Sequence, residues 1–255
     1  MKISIITATL NRAHTLEDTI KSVLAQDYQD YEYIIVDGKS EDNTVELIKK
    51  YEPLFAGRLK WISEKDRGLY DGINKGIRMS TGDVVGIINS DDFFHNTNTF
   101  SVIADAFKDN SVEVIFGDIR VVNPSNLKKT VRFVSPWYFK PWMFRYGVMP
   151  PHATFYAQKK LFEKFGYYKL GYKITADFDL LVRFMMVNHV SYKYVPHTFL
   201  TFRNGGISSK LSNKMTLNKE IVRACKENHI WTCLPLIYVK YIFRLGELLF
   251  CKDKE

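Results

Sequence analysis

The chain is poor in cysteine and lacks the two best-known nucleotide-binding fingerprints. Cys225, Cys233 and Cys251 are odd in number and show no C-x-x-C spacing, which argues against a disulfide framework or a zinc site. There is no G-x-G-x-x-G run and no Walker A loop, so NAD, FAD and P-loop chemistry are disfavoured. The opening apolar run is too short for a signal peptide, and we expect a first strand there and a cytoplasmic protein.

Composition indicates a folded protein that attracts anions. The 255 residues are 46% hydrophobic, enough for one large α/β domain or a domain with a short appendage. A net charge of +8 favours nucleotides, nucleic acid or an acidic membrane surface as partners. Since no basic patch interleaved with aromatic residues is present, we expect no nucleic-acid partner.

Strands and helices alternate along the first half. Residues 3–9 and 33–36 are predicted strands, joined by a helix for which Thr15 is the predicted N-cap. Alternation of this kind predicts a mostly parallel sheet with helices on both faces. The further predicted elements are a helix after Ser40, a strand at residues 59–62, a helix at residues 69–79 and a strand at residues 84–88.

The second half is less regular. We predict an antiparallel pair from residues 119–122 and 130–134, a strand at residues 153–157 and a helix over residues 177–187. Between them, residues 135–151 are rich in aromatic side chains and broken by prolines. That stretch allows no assignment from its pattern.

Two carboxylates follow directly on the apolar strand that ends near Ile88. Asp91 and Asp92 stand just after Asn89 and Ser90, where a strand of an open parallel sheet presents its carboxyl end. Acidic oxygens there can hold Mg²⁺ or Mn²⁺ against a diphosphate. The alternative is an Asp-Asp turn that only stops the strand.

Asp37 also ends a predicted buried strand. A carboxylate in that position can accept a hydrogen bond from a base or a ribose hydroxyl. The alternative is a helix-capping turn built with Ser40 and Asp42.

Glycines and carboxylates stand out in two predicted helices. Gly72 and Gly76 would each cost about 1 kcal/mol relative to alanine, and such glycines usually permit close approach of another element. Asp177 and Asp179 open the later helix, where the helix dipole alone can explain them.

The C-terminal segment is apolar and aromatic but carries a polar stripe. Lys240, Arg244 and Glu247 recur at helical spacing within residues 230–250. A membrane span needs about 20 apolar residues, and the longest uncharged run covers residues 230–239. We expect an amphipathic helix in the lipid headgroup layer, or alternatively one packed on the protein body or on a second subunit.

Together these motifs resemble glycosyltransferase family 2, whose members have the GT-A fold. The resemblance covers roughly residues 3–209 and rests on SIITATLNR, IIVDGKSEDNT, SEKDRGLYDGINKGI, STGDVVGIINSDDFF, FGD, PPHATFY, ADFDLLVR and FRNGGIS. The chain is similar to enzymes that assemble bacterial capsule, exopolysaccharide and O-antigen chains. The family implies an inverting, Mn²⁺- or Mg²⁺-dependent transfer of a sugar from a nucleotide diphosphate donor to an acceptor hydroxyl.

The resemblance also implies roles for particular residues. INSD corresponds to the family's D-x-D motif, with Asn89 in place of its first Asp, Ser90 beside it and Asp91 as the metal ligand. The family's E-D pair corresponds to Ala176 and Asp177. The aspartate implied to be the general base is therefore present, whereas alanine replaces the preceding glutamate. The remaining nucleotide-pocket residues implied are Thr7, Asn11, Asp37 and Asp66.

Two later segments complete the predicted site. His152 is implied to contact the diphosphate or sugar, with an ordinary loop or core histidine as the alternative. A loop with Arg203, Gly205, Gly206 and Ser208 is implied to order over the donor phosphates, with a flexible connector as the alternative.

These implications define the predicted organisation. Residues 1–211 form a GT-A catalytic domain, with a nucleotide-binding half at about 1–110 and an acceptor half at about 111–211, and residues 212–255 form a helical extension. The predicted partners are a nucleotide-sugar donor, a glycan or lipid-linked acceptor and the inner face of the cell membrane, and a homo-oligomer is an open alternative. The alternative function is a catalytically silent nucleotide-sugar binding or scaffold protein.

Overall fold

The computed structural model describes residues 1–205 and 213–241, which form one nine-stranded sheet flanked by helices. The strands are β1 (Ile3–Thr9), β2 (Tyr31–Asp37), β3 (Leu59–Ser63), β4 (Val84–Ile87), β5 (Phe93–Phe94), β6 (Val114–Asn123), β7 (Asn126–Val134), β8 (Tyr156–Gln158) and β9 (Tyr192–Arg203). The helices are α1 (Ala13–Leu24), α2 (Thr44–Tyr51), α3 (Leu69–Met79), α4 (Thr99–Ala106), α5 (Lys159–Phe165), α6 (Ala176–Leu181), α7 (Lys214–Glu227) and α8 (Leu234–Tyr238).

The sheet is parallel in its first half and mixed beyond it. The strand order is β3-β2-β1-β4-β8-β6-β9-β5, with β7 added beside β6. Strands β1 to β4 pair in parallel, as the βαβ pattern predicted. β8 then runs antiparallel to both β4 and β6, while β6 and β9 are parallel. The α/β class is confirmed, and the parallel order is concentrated in strands β1 to β4, within the half predicted to bind nucleotide.

Apolar side chains pack on both faces of the sheet. On one face Ile5 of β1 belongs to the same cluster as Ile20 of α1. On the other face Ile6 joins Ile77 of α3 and Ile221 of α7. Successive strand residues point to opposite faces, so a continuous apolar strand such as β1 is buried on both sides.

The predictions for the second half are met in part. β6 and β7 form the predicted antiparallel pair, with Ile119 opposite Val134. The predicted strand at residues 153–157 is wrong at its start, where His152–Thr154 is a 3-10 turn. The Thr154 hydroxyl bonds the carbonyls of Pro151 at 2.9 Å and Gly117 at 3.1 Å, which closes the turn. The predicted later helix begins as α6 and continues as a π-helical turn.

The described part of the C-terminal extension, residues 213–241, packs on the body. Side chains of α7, including Ile221 and Cys225, join the core cluster of α6. Lys240 is only 3% exposed, and its ammonium donates to Asn218 Oδ1 at 2.6 Å, so the predicted polar stripe is wrong at this residue. Arg244 and Glu247 lie outside the described residues, as does the predicted domain boundary at residue 211. Among the described helices, none is long and apolar enough to cross a bilayer.

Candidate active site

The first three strands end at one edge of the sheet, where the predicted nucleotide-binding residues gather. Parallel register sets Thr9 beside Asp37 and Asp37 beside Ser63. The chain continues β4 in the same direction, and the Ile88 N–H donates to the Ile6 carbonyl at 2.9 Å. The carboxyl edge of a parallel sheet is where ligands of such folds bind.

Asp37 is fully buried and accepts hydrogen bonds from its own turn. Its Oδ2 accepts from the Ser40 N–H at 3.0 Å and from Ser63 Oγ at 2.6 Å, and its Oδ1 accepts from Ser40 Oγ. Asp42 caps the neighbouring helices by accepting from the N–H groups of Ala13 at 3.1 Å and Thr44 at 3.0 Å. In this structure the Asp37 carboxylate shapes the turn that borders the predicted pocket.

Thr7 lies within β1, and Asn11 lies in the loop that follows this strand. Thr7 is buried, and its hydroxyl donates to the Ile88 carbonyl at 2.9 Å and lies 3.0 Å from Tyr33 Oη. Asn11 has a φ of 52°, and its Oδ1 accepts from the Glu41 N–H at 2.8 Å. Both residues therefore organise the loops around the predicted nucleotide pocket.

Asp66 is held close to the first turns of α3. Its Oδ1 accepts from Lys75 Nζ at 2.5 Å. A Cβ added to Gly72 would lie 2.9 Å from Asp66 Oδ2 and 3.1 Å from Ala8 Cβ, whereas one added to Gly76 would lie 2.4 Å from Ile6 Cγ2. The two helix glycines thus permit close approach, as their positions predicted.

The residues after β4 form a compact polar cluster. Asp92 is fully buried, and its carboxylate accepts from Asn89 Nδ2 at 2.8 Å and from the Arg203 N–H at 3.1 Å. Burial raises the pKa of Asp92 well above its usual value, and the negative charge of Asp91 adds to the shift. Ser90 is buried, whereas Asp91 is half-buried. Asp92 therefore anchors the loop, and Asp91 is the more accessible carboxylate.

Arg203 ties the end of β9 to the same loop. Its guanidinium donates to the Asp91 carbonyl and to Asp18 Oδ2, and it lies 5.2 Å from the centre of the Phe93 ring. Gly205 follows in a left-handed conformation with a φ of 115°. Gly206 and Ser208, predicted to belong to the donor loop, lie outside the described residues.

Asp177 occupies the first turn of α6 and borders a cavity of about 230 Å³. Its Oδ1 accepts from the Phe178 N–H at 2.8 Å. Tyr70 Oη, which donates to the Ile174 carbonyl, lies 3.4 Å from the same oxygen. Burial raises the pKa of Asp177, and the nearby His152 partly opposes the shift. A carboxylate with a raised pKa beside a cavity is a candidate general base.

His152 is close enough to Asp177 for the two side chains to influence each other's pKa. Its Nε2 is 2.6 Å from Tyr168 Oη, and burial lowers the His152 pKa while Asp177 opposes that effect. Tyr168 is itself fixed by Asn74 of α3, whose Nδ2 donates to the Tyr168 carbonyl at 2.8 Å. His152 is thus positioned by a chain of hydrogen bonds that begins on α3.

The sequence profile described as Glycosyl transferase family 2 matches residues 4–167, which is more than half of the chain. The chain belongs to glycosyl transferase family 2. Its match runs from β1 through α5 and includes every predicted site residue up to His152.

Known proteins agree with membership of glycosyl transferase family 2. The chain is 25% identical to a PGL/p-HBAD biosynthesis glycosyltransferase of Mycobacterium tuberculosis over 85% of its length and 82% of the relative's. Residues 1–349 of S. aureus TarS, solved with UDP-GlcNAc, superpose with a TM-score of 0.68 at 18% identity. That match covers 88% of this chain, which spans 66% of the TarS chain.

A second solved structure has the same GT-A fold. The mannosyltransferase PcManGT of Pyrobaculum calidifontis, in complex with GDP-Man and Mn²⁺, superposes with a TM-score of 0.67 at 17% identity. The match covers 96% of this chain and 70% of that one. At such identities the superpositions show the fold.

The structure also reveals residues that the family-2 motifs did not single out. Tyr70 donates its hydroxyl proton to the Ile174 carbonyl and lies 3.4 Å from Asp177 Oδ1, and Glu220 of α7 accepts from the N–H groups of Ile174 and Thr175. Tyr70 lies within the segment SEKDRGLYDGINKGI, so the family resemblance offered a signal for it. Glu220 lies beyond the resemblance, and its sequence context offered none.

Proposed function

We propose that this family-2 glycosyltransferase moves a sugar from a nucleotide diphosphate donor to an acceptor hydroxyl with inversion, using Asp177 as general base. The observation that carries the proposal is the position of α3. Its Tyr70 hydroxyl contacts Asp177 at 3.4 Å, and Gly72, two residues later, packs against Asp66. One helical turn thus joins the candidate base to the predicted nucleotide-binding edge.

Donor binding is assigned to the carboxyl edge of β1 to β4. The neighbours solved with UDP-GlcNAc and GDP-Man have the same fold and support a nucleotide-sugar there. The net charge of +8 favours attraction of an anionic diphosphate. Asp37 and Asp66 are proposed to border the nucleoside, and Arg203 to lie toward the phosphates.

The family's divalent ion fits the side chains that follow β4. Asn89 Nδ2 donates to Asp92, so its Oδ1 faces away from that carboxylate, and Asp91 is half-buried. One carboxylate and one amide oxygen, completed by diphosphate oxygens and water, suit Mg²⁺ or Mn²⁺. Within residues 1–205 and 213–241, no three His, Cys, Asp or Glu side chains form a ready metal cage. Bound there, a divalent ion would stabilise negative charge on the departing diphosphate.

The residues of this chain then supply positioning and proton transfer. Asp177 removes the acceptor hydroxyl proton as the acceptor oxygen bonds to C1 of the sugar. The C1–O bond to the diphosphate breaks on the opposite face, so a single displacement inverts the anomeric centre. The Phe178 N–H holds the carboxylate, and Tyr70 fixes the preceding segment by donating to the Ile174 carbonyl. Correct placement of the reactants provides much of the rate.

A membrane-proximal location is proposed from exposed aromatic side chains. Trp142 in the 3-10 helix Pro141–Tyr146 is 54% exposed, and Trp231 before α8 is 70% exposed. The two segments adjoin, because Thr232 Oγ1 donates to the Arg145 carbonyl at 2.6 Å. Aromatic residues on a basic protein suit the interface of an anionic membrane. We assign the enzyme to cell-surface polysaccharide or lipid-linked glycan assembly on this basis.

The test measures nucleoside diphosphate release from UDP-, GDP- and dTDP-sugars with Mn²⁺ and a panel of acceptors. Asp177→Asn should bind donor normally and lower kcat by about 10²–10⁴-fold, the usual contribution of a general base. Glu163→Gln, an acid-to-amide change on α5, is the matched control and should leave the rate unchanged. Equal rates for Asp177→Asn and the parent protein would refute the base assignment. Tight donor binding without turnover on any acceptor would favour the silent binding protein instead.

A further inference from the structure

One part of the chain carries charge of a single sign. Residues 119–151 contain six basic residues and no Asp or Glu, although the whole chain has 36 basic and 28 acidic residues. We call them the basic segment, which covers the end of β6, all of β7 and the 3-10 helix Pro141–Tyr146. Its basic residues are Arg120, Lys128, Lys129, Arg132, Lys140 and Arg145. A concentration of one charge sign on one part of a protein directs an oppositely charged partner to that part.

Four of these cations lie on the surface without a counter-ion. Lys128, Lys129, Lys140 and Arg145 are exposed. In the part of the chain that the structure describes, none of the four makes an ion pair. Basic side chains elsewhere are neutralised more closely, as Lys75 is by two carboxylates at 2.5 and 2.7 Å. The positive charge of the basic segment is therefore available to an anionic partner.

Two tryptophans stand out among the exposed side chains of the basic segment. Trp137 is 69% exposed and Trp142 is 54% exposed. Tryptophan favours the boundary between lipid headgroups and acyl chains, while lysine and arginine are attracted to anionic headgroups. Single-stranded nucleic acid would need a series of exposed rings on which bases stack, whereas the phenylalanines of the segment are buried: Phe133, Phe139 and Phe144. The exposed cations and tryptophans together fit the surface of an anionic lipid bilayer.

The basic segment also forms part of the cavity that Asp177 borders. Pro136 and Tyr138 line this cavity of about 230 Å³, while Trp137 between them is exposed. Val148, in the same segment, lines the cavity as well. The exposed surface of the segment therefore adjoins the rim of the cavity beside the candidate base. A partner that contacts this surface is brought close to the cavity.

We propose that the basic segment docks the enzyme on an anionic lipid bilayer, with the rim of the Asp177 cavity turned toward the lipid. This inference rests on the proposed function and gives its membrane contact a defined surface, partner and orientation. The exposed cations bind the headgroups, and Trp137 enters the boundary beneath them. In this orientation, an acceptor anchored in the bilayer presents its hydroxyl at the cavity without leaving the membrane.

The first experiment measures cosedimentation of the intact chain with phosphatidylcholine vesicles, with and without phosphatidylglycerol. The test variant combines three changes in the basic segment: Lys128→Gln, Lys129→Gln and Lys140→Gln. Each basic residue near an anionic surface strengthens binding about fivefold, so this variant should bind the anionic vesicles at least about tenfold more weakly. The control removes the same charge from exposed positions of α2 and α5: Lys49→Gln, Lys160→Gln and Lys164→Gln. It should bind like the parent, and equal weakening by both variants would overturn the docking surface.

The second experiment measures orientation by quenching of tryptophan fluorescence with brominated lipids. A variant that retains only Trp137 should be quenched on anionic vesicles. A variant that retains only Trp61 should not, because Trp61 lies in β3 and donates to Glu52 at 3.0 Å. Hydrogen exchange of the parent protein gives the same readout without substitution, with slower exchange of residues 136–146 on vesicles and unchanged exchange of α2. An unquenched Trp137 together with unchanged exchange of residues 136–146 would overturn the orientation.

Soluble polyanions and nucleotides separate the remaining outcomes. Tighter binding to polyphosphate or to a single-stranded oligonucleotide than to anionic vesicles, unaffected by Trp137→Ala, would replace the membrane by a soluble polyanion and overturn the proposal. The triple variant of the basic segment should bind UDP or GDP in solution like the parent. Failure of the parent to bind any nucleotide would count against the proposed function, whereas vesicle binding, measured without donor or acceptor, would still test the docking surface.

Discussion

Glu220 on α7 accepts hydrogen bonds from both the backbone N–H and the hydroxyl of Thr175, each at 3.1 Å. Its carboxylate also accepts from the N–H groups of Lys173 at 2.7 Å and Ile174 at 3.0 Å. Thr175 immediately precedes α6, whose first turn carries Asp177. One buried carboxylate from outside the family match therefore fixes the chain segment that leads into the candidate base.

Glu220→Gln should disturb this segment, because an amide replaces one acceptor oxygen with a donor facing N–H groups. We expect a lower Tm and a fall in kcat of about tenfold with an unchanged KM for the donor, since misplacement of the base slows chemistry without altering nucleotide binding. Glu227→Gln on the same helix is the control, because Glu227 bonds Lys169, Tyr172 and Arg223 instead. A higher donor KM with normal kcat would contradict a positioning role.

Gly72→Ala should displace Asp66, because the added Cβ would lie 2.9 Å from Asp66 Oδ2. Alanine is the better helix former by about 1 kcal/mol, so any gain in helix stability is opposed by this clash. We expect UDP or GDP affinity to fall about tenfold in calorimetry. Gly57→Ala is the control: an added Cβ meets open space there, but the φ of +83° is strained for alanine. This variant should have a lower Tm and an unchanged nucleotide affinity. Unchanged affinity in Gly72→Ala would contradict the proposed role of Asp66 in nucleotide binding.

The pH dependence of the rate should reflect Asp177. A general base works only when ionised, and burial raises the Asp177 pKa, so kcat/KM should fall on acidification at a higher pH than an ordinary aspartate, with pKa about 3.9, would give. Rate measurements from pH 4 to 9, within the range where the protein stays folded by circular dichroism, test this. An acid limb near the ordinary value would contradict the assignment.

The raised pKa of Asp177 also affects the stability of the fold, which should decrease as pH rises, whereas activity should increase. The folded state binds the Asp177 proton more tightly than the unfolded state, so this group favours folding at low pH and loses that contribution as pH rises through the folded pKa. At neutral pH, Asp177→Asn should therefore have a Tm equal to or above that of the parent. A clear loss of Tm would mean that the ionised carboxylate stabilises the fold.

Metal binding should depend on the nucleotide. Since no cluster of three or more ligating side chains occurs in the described ranges, Mn²⁺ alone should raise Tm little, and Mn²⁺ with UDP or GDP should raise it more than the nucleotide alone. Asp91→Asn should abolish the added effect of Mn²⁺. Asp83→Asn, an exposed change at the opposite end of β4, should retain it. A large shift with Mn²⁺ alone would indicate a preformed site.

Vesicle binding tests the exposed aromatic surface. Trp142→Ala combined with Trp231→Ala should reduce cosedimentation with anionic vesicles severalfold, and added salt should weaken binding of the parent. Leu54→Ala is the control, because Leu54 is an exposed apolar residue in the 3-10 helix Glu52–Phe55. Equal binding by the parent and the double variant would exclude this surface as the membrane contact.

Much of the structure of residues 1–110, the half predicted to bind nucleotide, could be predicted from periodicity. β1 and α3 have the predicted bounds, because a continuous apolar run and a 3.6-residue spacing are local properties of the chain. The prediction of Thr15 as the N-cap of α1 was wrong. The helix begins at Ala13, and the N–H of Ala13 donates to Asp42, which lies in a loop 29 residues later in the chain. The Thr15 hydroxyl oxygen is buried and has no hydrogen-bond partner.

The amino-acid sequence by itself determined the α/β class, the family and the order of the elements, since these depend on burial patterns and motifs that act over a few residues. Only the tertiary structure decided that Tyr70 meets Asp177, that Glu220 holds Thr175 and that Lys240 turns inward to Asn218. The partners in these contacts are separated by 22 to 107 positions. Whether polar groups so far apart bond each other depends on how the helices pack on the sheet, which no local pattern encodes.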